Sequence, residues 1–147
     1  MELNMKISSK GRYALRMMIE IAQSGANERV SIKDISEKQD ISIKYLEQIV
    51  TYLTKSGLLI STRGPKGGYS LTKPPEQYTA GEILRAIEGN LAPVACLDTD
   101  INQCERFGIC PTIGFWEGLY KVINNYVDSV TLADLAAAPS DGCDYSI

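Results

Sequence analysis

The sequence predicts a mainly α-helical fold with one small β-hairpin, and three observations predict it. Apolar residues recur at helical spacing in several segments, each preceded by a serine or threonine able to cap a helix N-terminus. One pair of short segments, residues 58–62 and 69–71, is typical of β-strands. The connection between these segments reads RGPKGG, a glycine-rich stretch suited to a tight turn.

Residues 31–71 predict two helices separated by a turn and followed by the hairpin. Ser31 is placed to cap the first helix, and the turn falls at Asp40 and Ile41. Ser42 is placed to cap the second helix, whose core-facing residues are Leu46, Ile49, Val50 and Leu53. This order is that of a winged helix-turn-helix domain, in which the hairpin is the wing.

The second helix carries a polar face that is suited to the major groove of DNA. A recognition helix places its N-terminal residues at base edges, where Gln48 can pair with adenine and Glu47 can accept from a cytosine amino group. A basic wing tip and a lysine near the chain start are suited to phosphates or a minor groove. The expected DNA-contacting residues are Lys10, Ser42, Lys44, Tyr45, Glu47, Gln48, Thr51, Arg63, Pro65 and Lys66.

The same face is also compatible with a solvated helix surface beside an ordinary hairpin, and the charge distribution favours DNA. Residues 1–73 contain 12 Lys and Arg against 7 Asp and Glu, a net charge of +5. Residues 74–147 contain 3 against 11, a net charge of −8. We therefore predict a DNA-binding domain over 1–73 and a second region over 74–147 that does not touch double-stranded DNA.

Composition excludes several classes of protein. The chain has no histidine, so the usual hydrolase triads cannot form, and no paired carboxylates or phosphate-binding loop suggest an enzyme. No apolar run is long enough to span a membrane, and the N-terminus lacks a signal-peptide pattern. We expect a cytoplasmic protein that has no membrane partner, with reduced thiols.

Helices are also predicted before and after residues 31–71. The first covers residues 12–24, with Leu15, Met18, Ile19 and Ala22 as its core stripe. After the wing, Thr79 and Glu82 predict a capped short helix that ends at Gly89, and Thr131 predicts a last turn over 132–137.

A long helix is predicted after Pro111, with an apolar seam of heptad-like spacing. Such a seam can pack on its own domain or on a second copy of the chain. A homodimer is favoured, because two recognition helices then read the two halves of a palindrome. The seam residues are Trp116, Leu119, Ile123, Tyr126 and Val130.

Residues 90–111 lack periodicity and contain three of the four cysteines. Cys96, Cys104 and Cys110 are separated by seven and five residues, which is not the spacing of a zinc ribbon or a redox-active pair. Three thiolates could hold an iron–sulfur cluster, or zinc with a fourth ligand, or have no shared role. Cys143 is isolated in the tail and is a weaker candidate ligand than the three loop cysteines.

Several motifs in order resemble the IscR-like family of bacterial winged helix-turn-helix regulators, whose relatives include CymR and NsrR. They are MKISSKGRYA from residue 5, YLEQ from residue 45, RGPKGGY from residue 63, the three-cysteine loop, and TLADL from residue 131. The resemblance covers nearly the whole chain. It implies a transcription regulator that dimerises through the long helix.

The resemblance also implies an iron–sulfur cluster held by the three loop cysteines, with [2Fe–2S] favoured over [4Fe–4S]. The chain departs from the family at the first cysteine gap, which is longer than the family's five residues. It also has Ile113 where IscR-like members place a histidine, and Arg12 where some relatives supply an acidic ligand. The alternative is a cluster-free regulator of sulfur metabolism, similar to CymR, that responds to thiol oxidation or to a partner enzyme.

Overall fold

The computed structural model describes residues 7–25, 28–97 and 107–138. Residues 1–6, the middle of the cysteine loop and the C-terminal tail lie outside these ranges. The helices and strands are α1 (Ser9–Gln23), α2 (Ile32–Gln39), α3 (Ile43–Lys55), β1 (Leu59–Thr62), β2 (Gly68–Leu71), α4 (Ala80–Glu88), α5 (Ile113–Ser129) and α6 (Leu132–Ala137). Three short 3-10 turns, Pro75–Gln77, Ala95–Leu97 and Phe107–Ile109, lie between them.

Hydroxyl caps define where five of these helices begin. The side chains of Ser31, Ser42, Thr79 and Thr131 each accept from the backbone N–H three residues on, as predicted. Ser8 caps α1 in the same way, so α1 begins at Ser9 and not at residue 12. The α6 cap is a full capping box, in which the partner carboxylate also bonds back to the cap.

Residues with positive φ end three of the helices. Asp40 adopts φ 54° at the end of α2, which turns the chain toward α3. Gly57 adopts φ 74° after α3, and Gly89 adopts φ 85° after α4, where the sequence predicts the helix end. At the end of α3 the Leu58 N–H donates to the Leu53 carbonyl at 2.9 Å. This is the hydrogen bond of a Schellman motif that spans the larger number of residues.

One hydrophobic core joins the first three helices to α4 and α6. The predicted α3 face is buried, and Tyr78, Ile83 and Leu132 belong to the same cluster. Buried residues on both sides of residue 73 therefore share a core, and the predicted division into two domains stays a prediction. The described part contains no buried charged residue.

The predicted core stripe of α1 packs on the core, but of its four residues Met18 is buried and the other three lie at the edge of the most buried line. The buried residues of α1 are Gly11, Ala14, Met17, Met18 and Ile21, whereas Leu15, Ile19 and Ala22 are half-buried. The reason is that α1 packs against α3, α4 and α6 at once. Apolar side chains on both flanks of the helix are therefore in contact, and the most buried line runs between them.

The wing is an antiparallel hairpin with Leu59 opposite Leu71 and Thr62 opposite Gly68. The sequence did not predict a third pairing, in which Val30 exchanges two backbone hydrogen bonds of 2.9 Å with Tyr69. This bridge attaches the wing to the segment that precedes α2. The wing and the helix pair are consequently held in one unit.

Candidate functional site

The exposed face of α3 carries most of the residues predicted to contact bases. The apolar face of α3 is buried, whereas its polar face is exposed. The exposed residues are Ser42, Lys44, Glu47, Gln48 and Thr51. Ser42 caps the exposed N-terminal turn of α3, and Asp40 sets the turn between α2 and α3. This N-terminal end is the one that a recognition helix presents to a groove.

Two of the predicted α3 residues have intramolecular contacts that limit what they can do. The Tyr45 ring is half-buried and packs edge-on against Tyr13, with centroids 5.5 Å apart. The Thr51 hydroxyl donates to the Glu47 carbonyl at 2.8 Å, which leaves its oxygen only as an acceptor. Lys44, Glu47 and Gln48 are the least constrained of the set.

The N-terminal turn of α1 lies beside α3. The Lys10 ammonium sits 5.7 Å from the centre of the exposed Tyr52 ring, a cation–π distance. Lys10 is thereby directed along the flank of the recognition helix. Arg16, by contrast, donates to the side chain and carbonyl of Gln39 at 2.9 and 2.7 Å, so it joins α1 to the end of α2.

The wing tip presents three predicted DNA contacts to solvent. Arg63, Pro65 and Lys66 are all exposed. Gly64 adopts φ 109°, and a Cβ added at Gly67 would overlap the Thr62 carbonyl oxygen, so both glycines are required by the turn. The glycines make the tip narrow and leave its cations projecting.

The ion pairs of the described residues involve other cations than those predicted to contact DNA. In residues 7–25, 28–97 and 107–138 the ion pairs are Lys38–Glu20, Lys73–Glu82 and Arg85–Asp128. None of them includes a cation from the predicted DNA-contacting set. The Glu20 carboxylate raises the pKa of Lys38 by hydrogen bonding and charge. Lys38 therefore stays protonated, and its positive charge is compensated by Glu20.

The cysteine loop is described only at its two ends. Cys96 lies in the 3-10 turn after α4, and Cys110 lies three residues before α5, with its Sγ 3.4 Å from the Thr112 hydroxyl. Both sulfur atoms belong to half-buried residues. Cys104 and Cys143 lie outside the described residues, and among the described ones no three potential ligands meet.

The three loop cysteines are chemically suited to an iron–sulfur cluster, because thiolate is the ligand that such clusters prefer. A fourth ligand could come from a partner chain, a bound small molecule, or Asp98, Asp100, Asn102, Glu105 or Cys143, and these five residues lie outside the described ranges. Ile113 is the first residue of α5, and Arg12 is exposed and donates to Ser9 at 3.1 Å. The three predicted ligands stay a prediction.

The long helix α5 has no fully buried side chain. Of the predicted seam, Trp116, Leu119, Ile123 and Val130 are half-buried, and Tyr126 is 68% exposed. Phe115 and Val122, which were not predicted as seam residues, are 66% and 64% exposed. The apolar surface of α5 that lacks a covering is therefore displaced from the predicted seam toward these two residues.

No helix in the described part of the chain is long and apolar enough to cross a membrane.

A capped recognition helix, a second helix at its turn and a basic wing define a winged helix-turn-helix protein that binds DNA and regulates transcription. The comparisons with known proteins identify the group. The chain belongs to the Rrf2 family, described as iron-dependent transcriptional regulators, whose profile matches residues 7–138. The expected fold class and the resemblance to IscR-like regulators are thereby confirmed.

The similar proteins are transcription regulators and not enzymes. Protein rrf2 of Nitratidesulfovibrio vulgaris is 38% identical over 146 residues, which is 97% of each chain. The structure of CymR, the global cysteine regulator of B. subtilis, is 37% identical with a TM-score of 0.75, covering 91% of this chain and 98% of that one. The structure of T. potens IscR is 36% identical with a TM-score of 0.71, covering 88% and 85%.

Proposed function

We propose that this regulator binds a palindromic operator as a homodimer, with α3 in the major groove and the wing along the backbone or in a minor groove. The observation that carries this proposal is that Lys44, Arg63 and Lys66 are exposed and belong to no ion pair within the described part of the chain. Such cations remain available to phosphates, which supply most of the sequence-independent affinity. The residues that we assign to DNA contact are Lys10, Ser42, Lys44, Tyr45, Glu47, Gln48, Thr51, Arg63, Pro65 and Lys66.

The experiment that tests DNA binding is a salt titration of affinity for duplex DNA, measured by fluorescence anisotropy. Lys66→Ala should weaken binding to all sequences and reduce the slope of log K against log salt by about 1. Gln48→Ala should reduce discrimination between sequences, with the salt slope unchanged. The matched control is Lys38→Ala, which removes a lysine whose positive charge is already compensated by Glu20. Equal effects of Lys66→Ala and Lys38→Ala would contradict the assignment.

The dimer is proposed to form through α5. Phe115, Val122 and Tyr126 expose large apolar side chains on a helix that is not buried in its own chain. Exposed apolar surface of this kind marks an interaction site. Trp116, Leu119, Ile123 and Val130, which are half-buried, would support the same interface. Sedimentation of Val122→Glu should show a monomer, and a dimer of unchanged affinity would contradict the proposal.

The loop cysteines are proposed to make the regulator responsive to iron–sulfur status. Cys96, Cys104 and Cys110 would hold the cluster, with [2Fe–2S] favoured, and the cluster would supply an iron-dependent, redox-active centre. The family description as iron-dependent regulators supports this. The position of Cys96 and Cys110 beside α4 and α5 also supports it, because α4 packs on α1 and α3.

A cluster-free regulator is the second candidate, and specific observations favour it. The structure of CymR, a cysteine regulator, is as similar to this chain as the IscR structure is. The chain also contains no histidine that could complete an IscR-like ligand set. The loop thiols would then respond to oxidation, or a partner enzyme would control DNA binding.

Anaerobic purification distinguishes the two candidates. Cluster binding predicts visible absorption with stoichiometric iron and sulfide, and its loss in Cys104→Ala while the protein remains a folded dimer. It also predicts different footprints for the protein with and without the cluster. A colourless protein whose operator affinity changes on thiol oxidation would instead establish the cluster-free mechanism.

A further inference from the structure

The contact between α4 and α5 contains a side-chain clasp that the proposed function does not use. Arg85 of α4 donates to both carboxylate oxygens of Asp128, at 2.7 and 3.0 Å. Its other donation goes to the Asn124 side-chain oxygen at 2.8 Å. One guanidinium thus binds two successive turns of α5 on one face. Two attachment points fix the rotation of α5 about its axis and its displacement along α4.

A glycine allows the two helices to approach at this clasp. Gly81 lies one turn before Arg85 on the same face of α4, and its helical conformation does not itself require glycine. A Cβ added there would overlap Asp128 Oδ1 and lie 2.9 Å from the Val127 side chain. Close approach at Gly81 therefore brings Asp128 within reach of the guanidinium. Formation of the pair lowers the pKa of Asp128 through the Arg85 hydrogen bond.

The end of α5 is attached to α4 through the backbone. The Ala80 N–H donates to the Val130 carbonyl at 2.8 Å, and the Leu132 N–H donates to the Tyr78 carbonyl at 3.0 Å. α5 is therefore held at its C-terminal end, and Arg85 braces its last turn and a half at Asn124 and Asp128. The rest of the helix has no fully buried side chain to hold its angle.

The angle of α5 has a large effect at its far end. A helix of 17 residues is about 25 Å long, so a rotation of about 10° moves the far end by about 4 Å. That displacement exceeds the rise of roughly 3.4 Å per base pair. Because α4 packs on both α1 and α3, a change between α4 and α5 is a change between α5 and the recognition helix.

We propose that the Arg85 clasp to Asn124 and Asp128 determines operator specificity by setting the distance between the two half-sites that the dimer reads. The inference rests on the proposed dimer through α5. Arg85 and Asp128 are positioning residues in it, because neither is among the residues assigned to DNA contact. Loss of the clasp lets α5 change its angle, and the protein then accepts operators whose half-sites are one base pair closer or farther apart.

The test uses the full-length protein and duplexes that the wild type selects from a randomised library. The selected duplex is compared with versions in which one base pair is inserted or deleted at the centre. The wild type should prefer the selected spacing by about tenfold or more, a difference of about 1.4 kcal/mol. Arg85→Met should reduce this preference to about threefold or less, with affinity for a single half-site nearly unchanged.

The matched control is Glu82→Gln, which removes the other α4 ion pair. Lys73 and Glu82 are 31% and 37% exposed, close to the 32% and 46% of Arg85 and Asp128, and they do not contact α5 through that pair. The control should keep the wild-type preference. Asp128→Asn, which keeps the side-chain shape, should relax the preference as Arg85→Met does, and it decides the question if Arg85→Met fails to fold.

The outcomes separate this inference from the function on which it rests. A wild type that is monomeric, or selects no palindrome, removes the proposed dimer and the inference together. A dimeric wild type whose spacing preference is unchanged in both clasp variants overturns the inference and leaves the dimer intact. Equal relaxation in Glu82→Gln also overturns it, because the effect would then follow from loss of any α4 charge.

Discussion

Replacement of Tyr78 by phenylalanine should destabilise the protein by about 2–3 kcal/mol, because the Tyr78 hydroxyl is a buried hydrogen-bonding centre. The side chain is 0% exposed. Its hydroxyl donates to the Leu58 carbonyl at 2.8 Å and accepts from the Thr72 N–H at 2.8 Å. Phenylalanine retains the packing of the ring but leaves the Leu58 oxygen and the Thr72 N–H without this partner. Each such loss costs about 1 kcal/mol or more.

The consequence should extend to the wing. Leu58 immediately precedes β1 and Thr72 immediately follows β2, so the Tyr78 hydroxyl joins the bases of both strands. We expect the variant to bind duplex DNA several-fold more weakly, because the wing cations are then held less firmly.

Urea unfolding followed by circular dichroism measures the stability difference, at one protein concentration because a dimer links stability to concentration. The midpoint should fall while the m-value stays constant. Tyr52→Phe is the matched control, since Tyr52 is 44% exposed and should change stability by less than about 0.5 kcal/mol. A Tyr78→Phe protein within that margin of the wild type would refute the assigned role of the hydroxyl.

Three further predictions concern single positions. Gly67→Ala should distort the wing tip, because its Cβ would overlap the Thr62 carbonyl; DNA affinity should fall by about tenfold with little change in the urea midpoint. Asp134→Asn should lower stability at pH 7, and its difference from the wild type should shrink as the pH falls below about 4. The Thr131 backbone N–H holds the pKa of Asp134 below its usual value, so its contribution is present above about pH 4 and lost as the pH falls. Gly11→Ala should displace the Glu88 carboxylate, which lies 2.5 Å from the added Cβ, and thermal melting should show a lower midpoint. An unchanged melting curve would contradict this last expectation.

The sequence was sufficient for those features that depend on neighbouring residues. The Ser31, Ser42 and Thr79 caps, the buried face of α3 and the hairpin follow from residues within a few positions of one another. The class of DNA-binding domain followed from their order. The resemblance to IscR-like regulators added the family, which the comparisons confirm.

Features that depend on contacts between distant residues were missed. Pairing of Val30 with Tyr69, the Arg85 clasp and the Tyr78 hydroxyl join positions that are far apart in the chain. No local pattern distinguishes Tyr78 from any other tyrosine that precedes a helix cap. The most buried line of α1 was only partly predicted for the same reason, since the number of helices packed around α1 is not visible in its own periodicity.

The described contacts divide into those that hold the fold and those that set its angles. Buried groups such as Tyr78 and Leu132 lie within one core, where the loss of a side-chain group costs several kcal/mol. The Arg85–Asp128 pair is partly exposed, and pairs of that kind contribute about 0–1 kcal/mol to stability. A fall from a tenfold to a threefold preference between operators corresponds to only about 0.7 kcal/mol. Contacts too weak to decide whether the chain folds are therefore strong enough to influence which spacing of half-sites it reads, and selection on DNA specificity can act on them without endangering the core.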